Sequence, residues 1–267
     1  MKRLENKVAL ITGSGNGIGK VAAMKFAEEG AEVIVVDIDD KGGEFTVSEI
    51  KQKKQNAHFI KCDVASSAQV KGVLDFTEKK FGRLDVLYNN ASVYLPNDDG
   101  IITDISENTW EKIISINLKS IFLFCKFAIP LMIKSGGGSI INTASSAGLI
   151  GIPKCDAYTA TKGATVALTR SLAVEFGPRN IRVNCIAPAA IKTSMLAQSS
   201  ADRPDFDEKR FLGLRTPLRR YGRPEEVANT AVFLASDESS YINGSIIPVD
   251  SGIMINGDLS KLPEENA

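Results

Sequence analysis

The chain has 267 residues, with 32 Lys or Arg and 32 Asp or Glu, so its formal net charge at pH 7 is +0. This length can bury a large core and favours a single domain over residues 1–267. No basic run could follow a phosphate backbone, which excludes nucleic acid as the expected partner. The N-terminus lacks a signal-peptide core, and the longest apolar stretch, residues 121–133, contains Lys126 and Pro130 and is shorter than a bilayer-spanning helix. We therefore expect a cytoplasmic protein with no membrane partner.

Seven short apolar runs alternate with helical patterns along the chain. Two of these helical patterns stop at Gly30 and Gly82, which are typical helix C-terminal residues. Near-continuous Val/Ile strands separated by helices predict the α/β class, as one doubly wound parallel sheet with helices on both faces. The predicted strands are residues 8–12, 32–37, 57–63, 84–90, 139–145, 181–187 and 245–250.

The turn after the first strand, "TGSGNGIG", is rich in glycine but does not fit the G-x-G-x-x-G spacing. With Gly13, Gly17 and Gly19 as the essential positions, it reads T-G-x-x-x-G-x-G. These would give a tight turn, a close approach of backbone to ligand, and close packing of helix on sheet. The following helix would direct its first N–H groups at a diphosphate. The alternative is an ordinary glycine-rich loop.

An acidic residue, Asp37, ends the second strand eighteen positions after Gly19. A carboxylate there can accept hydrogen bonds from the ribose hydroxyls of adenosine. It would also repel a 2′-phosphate, and neither Ser14 nor Ile38 supplies a cation to hold one. The expected cofactor is therefore NAD and not NADP. The alternative is that Asp37 only helps to start the next helix.

A helix over residues 157–177 places Tyr158 and Lys162 four residues apart, on one face. A tyrosine pKa near 10 has to fall by roughly three units before this group acts as a base near neutrality. A cation about 4 Å away can supply that shift at an effective dielectric constant near 20. Alone, the pair could equally be two surface residues. The other candidates are weaker, because His58 lies in a predicted strand and no serine nucleophile motif accompanies it.

Metal and disulfide chemistry are not expected. The four cysteines form no C-x-x-C pair, and one histidine cannot build a two-histidine site. Each cysteine is expected to be a small buried or half-buried residue. They are Cys62, Cys125, Cys155 and Cys185.

Taken together and in order, T-G-x-x-x-G-x-G, "NNA" at 89–91, the serines of "NTASSAG" and Tyr158-x-x-x-Lys162 resemble the short-chain dehydrogenase/reductase family. The resemblance covers nearly the whole chain and implies a Rossmann fold. It also implies a catalytic tetrad. Tyr158 is the acid-base group and Lys162 lowers its pKa and binds the nicotinamide ribose. Ser145, preferred to Ser146 for its thirteen-residue interval before Tyr158, holds the substrate oxygen, and Asn117 supports a proton relay.

The same resemblance implies a set of cofactor-binding residues. Asp63 and Val64 would hold the adenine, and Ile191 and Thr193 the carboxamide. Two departures from the family pattern, Ser92 and Ala189 in place of glycines, predict a local backbone adjustment. The full implied set is Gly13, Asn16, Gly17, Ile18, Gly19, Asp37, Asp63, Val64, Asn90, Ala91, Tyr158, Lys162, Pro188, Ile191 and Thr193.

Substrate specificity is expected to depend on a lid at residues 190–222 and on a loop at residues 92–104. The lid is polar and charged, which favours a small polar or cyclic secondary alcohol such as a polyol, sugar or diol. The loop brings Tyr94 and a short acidic run toward the carboxyl edge of the sheet, unless it is merely a solvated surface loop. Cys155 and Asp156 are further candidates for the pocket wall. The run in the loop consists of the amide Asn97 and the two acids Asp98 and Asp99.

The expected function is hydride transfer between NAD(H) and a secondary alcohol or ketone. The alternatives are a 3-oxoacyl or hydroxysteroid-type reductase, a sugar-nucleotide epimerase or dehydratase, and a non-catalytic NAD-sensing regulator. The epimerase branch usually carries T-G-x-x-G-x-x-G, and sensors usually lose Tyr or Lys from the motif. The resemblance further implies a homotetramer built on helices near 107–134 and 158–177.

Overall fold

The computed structural model describes residues 2–196 and 207–256. Within these residues the strands form one parallel sheet in the order β3-β2-β1-β4-β5-β6-β7. All seven predicted strands are confirmed, with ends that differ by no more than two residues. They are β1 (Val8–Thr12), β2 (Glu32–Asp37), β3 (Ala57–Lys61), β4 (Val86–Asn89), β5 (Gly138–Thr143), β6 (Ile181–Pro188) and β7 (Ile246–Val249).

Helices connect the strands and cover both faces of the sheet. The helices are α1 (Gly17–Glu28), α2 (Asp40–Gln52), α3 (Ser67–Phe81), α4 (Glu107–Ile114), α5 (Ser120–Lys134), α6 (Asp156–Phe176), α7 (Glu208–Arg215) and α8 (Pro224–Ala235). A π-helical turn, Ser115–Lys119, joins α4 to α5.

Local sequence explains where several of these helices begin and end. The Ser66 hydroxyl accepts a hydrogen bond from the Gln69 N–H at the start of α3, and Gly82 ends that helix at φ 68°. Gly30 follows α1 at φ 95°. Both predicted helix-ending glycines are therefore confirmed.

Alternate residues of each strand supply two separate cores. Ala9 and Ile11 of β1 pack into a cluster beneath α1 and α8, whereas Val8 and Leu10 pack into a cluster beneath α3 and α5. A strand directs successive side chains to opposite faces, so a run that is apolar at every position must be covered twice. This is why the Val/Ile-rich strands predicted a sheet with helices on both sides. All four cysteines are buried, as expected.

The segment from α4 to α5 corrects one sequence expectation. It forms a continuous helical run, Glu107–Lys134, of 28 residues, which is long and apolar enough to cross a membrane by length and composition. Lys126 and Pro130 do not interrupt it. Of its most apolar window, 56% is buried inside the fold, where α5 packs on the sheet. Core helices pass the same test, so the run by itself is weak evidence for a span.

The strand order reverses between β1 and β4, which lie side by side but are followed by crossovers in opposite directions. In such sheets a crevice opens beyond the carboxyl ends of the strands at this point. The glycine turn after β1 and the "NNA" segment after β4 both lie at this crevice. The fold therefore places the two motifs together.

Candidate active site

A cavity of about 560 Å³ opens at the carboxyl edge of the sheet. Its wall includes every predicted cofactor-binding and catalytic residue except Gly19 and Asn117. The wall runs from Asp37 at the end of β2 to Tyr158 on α6. Motifs more than a hundred residues apart in the chain thus border one space.

Two of the three glycines in the turn have no room for a side chain, and the third lies on the cavity wall. Gly13 has a φ of 63°, and a Cβ atom there would lie 2.7 Å from the Cα atom of Ala91. Gly19 lies behind the cavity wall, where a Cβ atom would lie 2.0 Å from the Gly13 carbonyl oxygen. Gly17 lies on the cavity wall at the first position of α1. The turn therefore brings the N-terminus of α1 to the cavity wall.

Asp37 is 8% exposed and its carboxylate is held in place. The Gly15 N–H donates to Oδ2 at 2.7 Å, and the Asp39 N–H donates to Oδ1 at 3.0 Å. The carboxylate thus lies against the glycine turn, at the end of the cavity opposite Tyr158. Asp39, and not Asp37, caps helix α2 by accepting from the Lys41 N–H.

Tyr158, Lys162 and Ser145 meet at the other end. Ser145 lies near enough to the Tyr158 hydroxyl to lower its pKa by hydrogen bonding, and both residues line the cavity. Lys162 is 1% exposed, and its Nζ lies 5.4 Å from the centroid of the Tyr158 ring and donates to the Thr143 carbonyl oxygen at 2.9 Å. Ser146 also lines the cavity but begins a short 3₁₀ turn. The influence of Ser145 on the Tyr158 pKa favours Ser145 over Ser146.

The pKa values at this end differ from the sequence expectation. Burial raises the pKa of Tyr158 to about 12, although the hydrogen bond from Ser145 opposes the rise. Burial also lowers the pKa of Lys162 to about 8. The net direction for Tyr158 is therefore opposite to the expected lowering, because loss of solvation is the largest influence on its pKa.

Asn117 lies in the π-helical turn and does not line the cavity. Its Oδ1 accepts from the Val93 N–H at 2.8 Å, and its Nδ2 donates to the Val93 carbonyl oxygen at 2.9 Å. Its Nδ2 also lies 3.4 Å from Thr161 Oγ1. Such turns widen a helix locally and are frequent at functional sites. Here the turn lets Asn117 hold the cavity-lining segment after β4.

The remaining cofactor residues lie along the wall. Asn90 Nδ2 donates to the carbonyl oxygens of Thr12 and Gly13, both at 3.1 Å, so it also fixes the glycine turn. Near the two departures from the family pattern, Ala190 has a φ of 52° and the buried Ser92 hydroxyl has no partner within the described part of the chain. The other wall residues from the predicted set are Asn16, Ile18, Asp63, Val64, Ala91, Pro188, Ile191 and Thr193.

The lid is described only in part, because residues 197–206 lie outside the described residues. Its ends are joined, since the Gly222 N–H donates to Ala190 O at 3.0 Å and the Lys192 N–H donates to Gly222 O at 2.8 Å. Met195 and Leu196 line the cavity at its start.

The loop at residues 92–104 is more than a solvated surface loop. Tyr94 lines the cavity, and its ring meets the Tyr158 ring edge-on, with centroids 5.2 Å apart. Asn97 and Asp98 are exposed, whereas Asp99 is 5% exposed and lies beneath the start of α6. Of the two further candidates for the pocket wall, Cys155 lines the cavity and Asp156 does not.

Sequence reasoning missed two contacts at the catalytic end. The Thr143 carbonyl, which holds Lys162, is a backbone group and leaves no side-chain signal. The Tyr94 ring contact was out of reach, because pairing between a loop and a helix has no fixed spacing. Ile152, a further wall residue, stands in an irregular segment with no motif.

Comparison with known proteins agrees with this geometry. A family model described as "Enoyl-(Acyl carrier protein) reductase" matches residues 13–254. The chain is 40% identical over 253 residues to a 3-oxoacyl-[acyl-carrier-protein] reductase of Thermotoga maritima, covering 95% of this chain and 100% of that one. It is 36% identical over 248 residues to a cyclohexanol dehydrogenase of an Acinetobacter species, covering 93% and 95%.

A solved structure is also similar. The crystal structure of carveol dehydrogenase from Mycobacterium avium in complex with NAD superposes with a TM-score of 0.89 at 30% identity, covering 96% of this chain and 100% of that one. The same family is indicated by the parallel sheet, by the site motifs and by the near-complete coverage of each relative. The chain therefore belongs to the short-chain dehydrogenase/reductase family of oxidoreductases.

Proposed function

We propose that this protein transfers hydride between NAD(H) and a cyclic secondary alcohol or its ketone. The observation that carries the proposal is the shared cavity. One end holds the Tyr158 hydroxyl with Ser145 and Lys162 beside it, and the other end holds Asp37. An acid-base group and a dinucleotide-type wall in one space serve alcohol oxidation.

The residues present fit a dinucleotide. Gly17 lies on the cavity wall at the first position of α1, and the N-terminus of a helix suits a diphosphate. Asp37 would accept from the adenosine ribose hydroxyls, and Lys162 would donate to the nicotinamide ribose. Asp63 and Val64 would hold the adenine, and Ile191 and Thr193 the carboxamide. When bound, NAD would supply the hydride acceptor, which no side chain here can replace.

Side chains of this protein would transfer the proton of the substrate hydroxyl. In alcohol oxidation, Tyr158 Oη takes the proton of the substrate hydroxyl, and in ketone reduction it returns that proton. Ser145 Oγ donates a hydrogen bond to the substrate oxygen, which carries partial negative charge in the transition state. Lys162 supplies positive charge next to the tyrosine and favours the phenolate. Asn117 holds Val93 and thereby the wall beside the substrate.

The wall near Tyr158 favours a ring over an open polyol. Val93, Tyr94 and Ile152 line this end, and the Tyr94 ring stands edge-on to the Tyr158 ring. Apolar and aromatic walls bind a carbocycle by burying its surface and leave sugar hydroxyls without partners. The relatives named for cyclohexanol and carveol point the same way.

A panel assay tests this proposal. NADH formation would be followed with cyclohexanol, cyclic diols, polyols, aldoses and hydroxysteroids, each with NAD and with NADP. We expect the highest kcat/KM with a cyclic alcohol and NAD, at least about tenfold above any polyol. Bound NAD without turnover of any alcohol or ketone would contradict the proposal and favour an NAD sensor.

A 3-oxoacyl reductase is the second candidate, because the Thermotoga maritima relative with that name is 40% identical along its full length. An acetoacetyl thioester added to the panel with NADH separates the two candidates. Faster turnover of the thioester than of any cyclic ketone would make this activity the primary one.

The charge of Asp37 is expected to set the choice of cofactor. Asp37→Asn keeps the shape of the side chain and one acceptor oxygen but removes the repulsion of a 2′-phosphate. We expect the ratio of kcat/KM with NAD to that with NADP to fall about 10- to 100-fold. Asp40→Asn is the matched control, since Asp40 belongs to the same acidic turn but is exposed and pairs with Lys61. An unchanged ratio in Asp37→Asn would show that another group selects the cofactor.

We also infer a homotetramer in the cytoplasm. Phe122 on α5 is 52% exposed and Val174 on α6 is 80% exposed. These helices are the ones on which the family resemblance places subunit contacts, and large exposed apolar side chains there suit burial between copies. The single-domain organisation over residues 1–267 remains a prediction.

A further inference from the structure

The loop between β4 and α4 is fastened to the first turn of α6. The Asp99 carboxylate accepts hydrogen bonds from the backbone N–H groups of Ala157 at 3.1 Å and Tyr158 at 2.9 Å. N–H groups in the first turn of a helix have no partner within that helix. Cys155, at the N-cap position, gives no side-chain capping bond. Asp99 therefore supplies the cap from 58 residues away.

Two further bonds tie the same segments together. The Ile102 N–H donates to Asp156 Oδ2 at 2.9 Å, and the Asp156 N–H donates to the Gly100 carbonyl oxygen at 3.2 Å. The loop and the start of α6 thus form one hydrogen-bonded unit. Of the two carboxylates in this unit, Asp99 is the buried one, at 5% exposure.

This unit carries two aromatic residues of the cavity. Tyr158 follows Ala157 on α6, and Tyr94 precedes Leu95, whose carbonyl oxygen accepts from the Asp99 N–H at 2.7 Å. Their rings meet edge-on at 5.2 Å. A shift of Asp99 would therefore move both rings, one through each backbone contact.

We propose that Asp99 is a positioning residue for Tyr158. It holds the first turn of α6 so that the Tyr158 hydroxyl stays beside Ser145 in the cavity and the Tyr94 ring stays against the Tyr158 ring. The proposal rests on the function proposed above. A carboxylate is suited to the task because each of its two oxygens can accept one backbone N–H, and hydrogen bonds to an ionised acceptor are stronger than neutral ones.

The test compares Asp99→Asn with Asp98→Asn. Both changes remove one negative charge from the same loop, but Asp98 is exposed. The Asp99 variant turns one acceptor oxygen into a donor that faces an N–H. We expect its kcat to fall about 10- to 100-fold, while its Kd for NADH, measured by fluorescence, stays within about twofold. The Asp98 variant should match wild type in both.

A double-mutant cycle with Ser145→Ala separates positioning from general weakening. If Asp99 acts by keeping Tyr158 on Ser145, its loss should matter little once the serine hydroxyl is gone. We expect Asp99→Asn to lower kcat less than about threefold in the Ser145→Ala background. An independent, fully multiplied loss would overturn the proposal, as would an Asp99 variant that behaves like the Asp98 variant.

Folding and activity are checked separately. Should Asp99→Asn not fold, Asp99→Ser, which keeps one short acceptor oxygen, takes its place in the same cycle. If wild type turns over no alcohol, the proposed function fails, while hydrogen exchange at Ala157 and Tyr158 still tests Asp99. Faster exchange in Asp99→Asn than in Asp98→Asn supports its hold on α6, and equal exchange overturns it.

Discussion

Tyr158→Phe is expected to lower kcat/KM by about 10²- to 10⁴-fold, the usual contribution of positioned proton transfer. The substitution removes one oxygen atom and leaves the ring, its packing on Tyr94 and its place on α6. Within the described cavity wall, no other group stands where that oxygen could take the substrate proton. Ser145 keeps its hydroxyl in the variant.

Steady-state rates with the best alcohol of the panel, together with NADH titration by fluorescence, check this result. NADH binding should persist, because only one donor to the cofactor is lost. Tyr241→Phe is the matched control, because it removes the same atom from a tyrosine that is fully exposed and does not line the cavity. Substantial turnover by the Tyr158 variant would assign the proton transfer to another group.

The pH dependence of the wild type follows from the burial of Tyr158. Its pKa is raised to about 12, so the phenolate is the minor form at neutral pH. Oxidation, which needs the phenolate, should therefore accelerate as the pH rises, whereas ketone reduction uses the protonated form and should not. Positive charge near the hydroxyl, from Lys162 or from a cationic cofactor ring, is what would bring this rise toward neutrality.

Much of the fold could be predicted because its strands are unambiguous. Runs such as Val33–Val36 are apolar at every position, and only a sheet covered on both faces buries such a run. The glycine turn was equally clear, since Gly13 and Gly19 lack room for a Cβ atom. These features depend on neighbouring residues, which a sequence shows directly.

The site was predictable in its members but not in its electrostatics or its supports. The four-residue spacing of Tyr158 and Lys162 indicates an attraction between their charges. It does not indicate how deeply the fold buries both groups, and this burial is what shifts their pKa values most. Asp99 looked like one member of an acidic surface loop. Its partners are backbone N–H groups on a distant helix, and no residue type marks them.

Lys162→Met is expected to change activity and stability in opposite directions. Activity should fall at least about 100-fold, because the substitution removes the positive charge beside Tyr158. The Lys162 Nζ lies 5.4 Å from the centroid of the Tyr158 ring, and the described cavity wall has no other cation. Stability at pH 7 should rise, since the folded state holds a lysine that is 1% exposed with a carbonyl hydrogen bond at Thr143. Methionine is similar in length and carries no charge to desolvate.

The sign of the pH effect follows from proton linkage. Burial lowers the lysine pKa from 10.5 to about 8. Between these values the unfolded chain binds more protons than the folded one, so the stability contributed by this residue rises with pH. The destabilisation is fully present below pH 8 and is lost by pH 10.5. The lowering of the lysine pKa corresponds to about 3 kcal/mol in the free energy of unfolding.

Urea denaturation of both proteins at several pH values between 7 and 10.5 measures this effect. The stability advantage of Lys162→Met over wild type should shrink by about 3 kcal/mol across that range. Loss of the Thr143 hydrogen bond shifts the whole curve but not its slope, because a backbone carbonyl does not titrate. Lys112→Met, at an exposed position of α4, should show no such slope. An advantage that stays constant with pH would mean that Lys162 keeps its solvation in the folded protein.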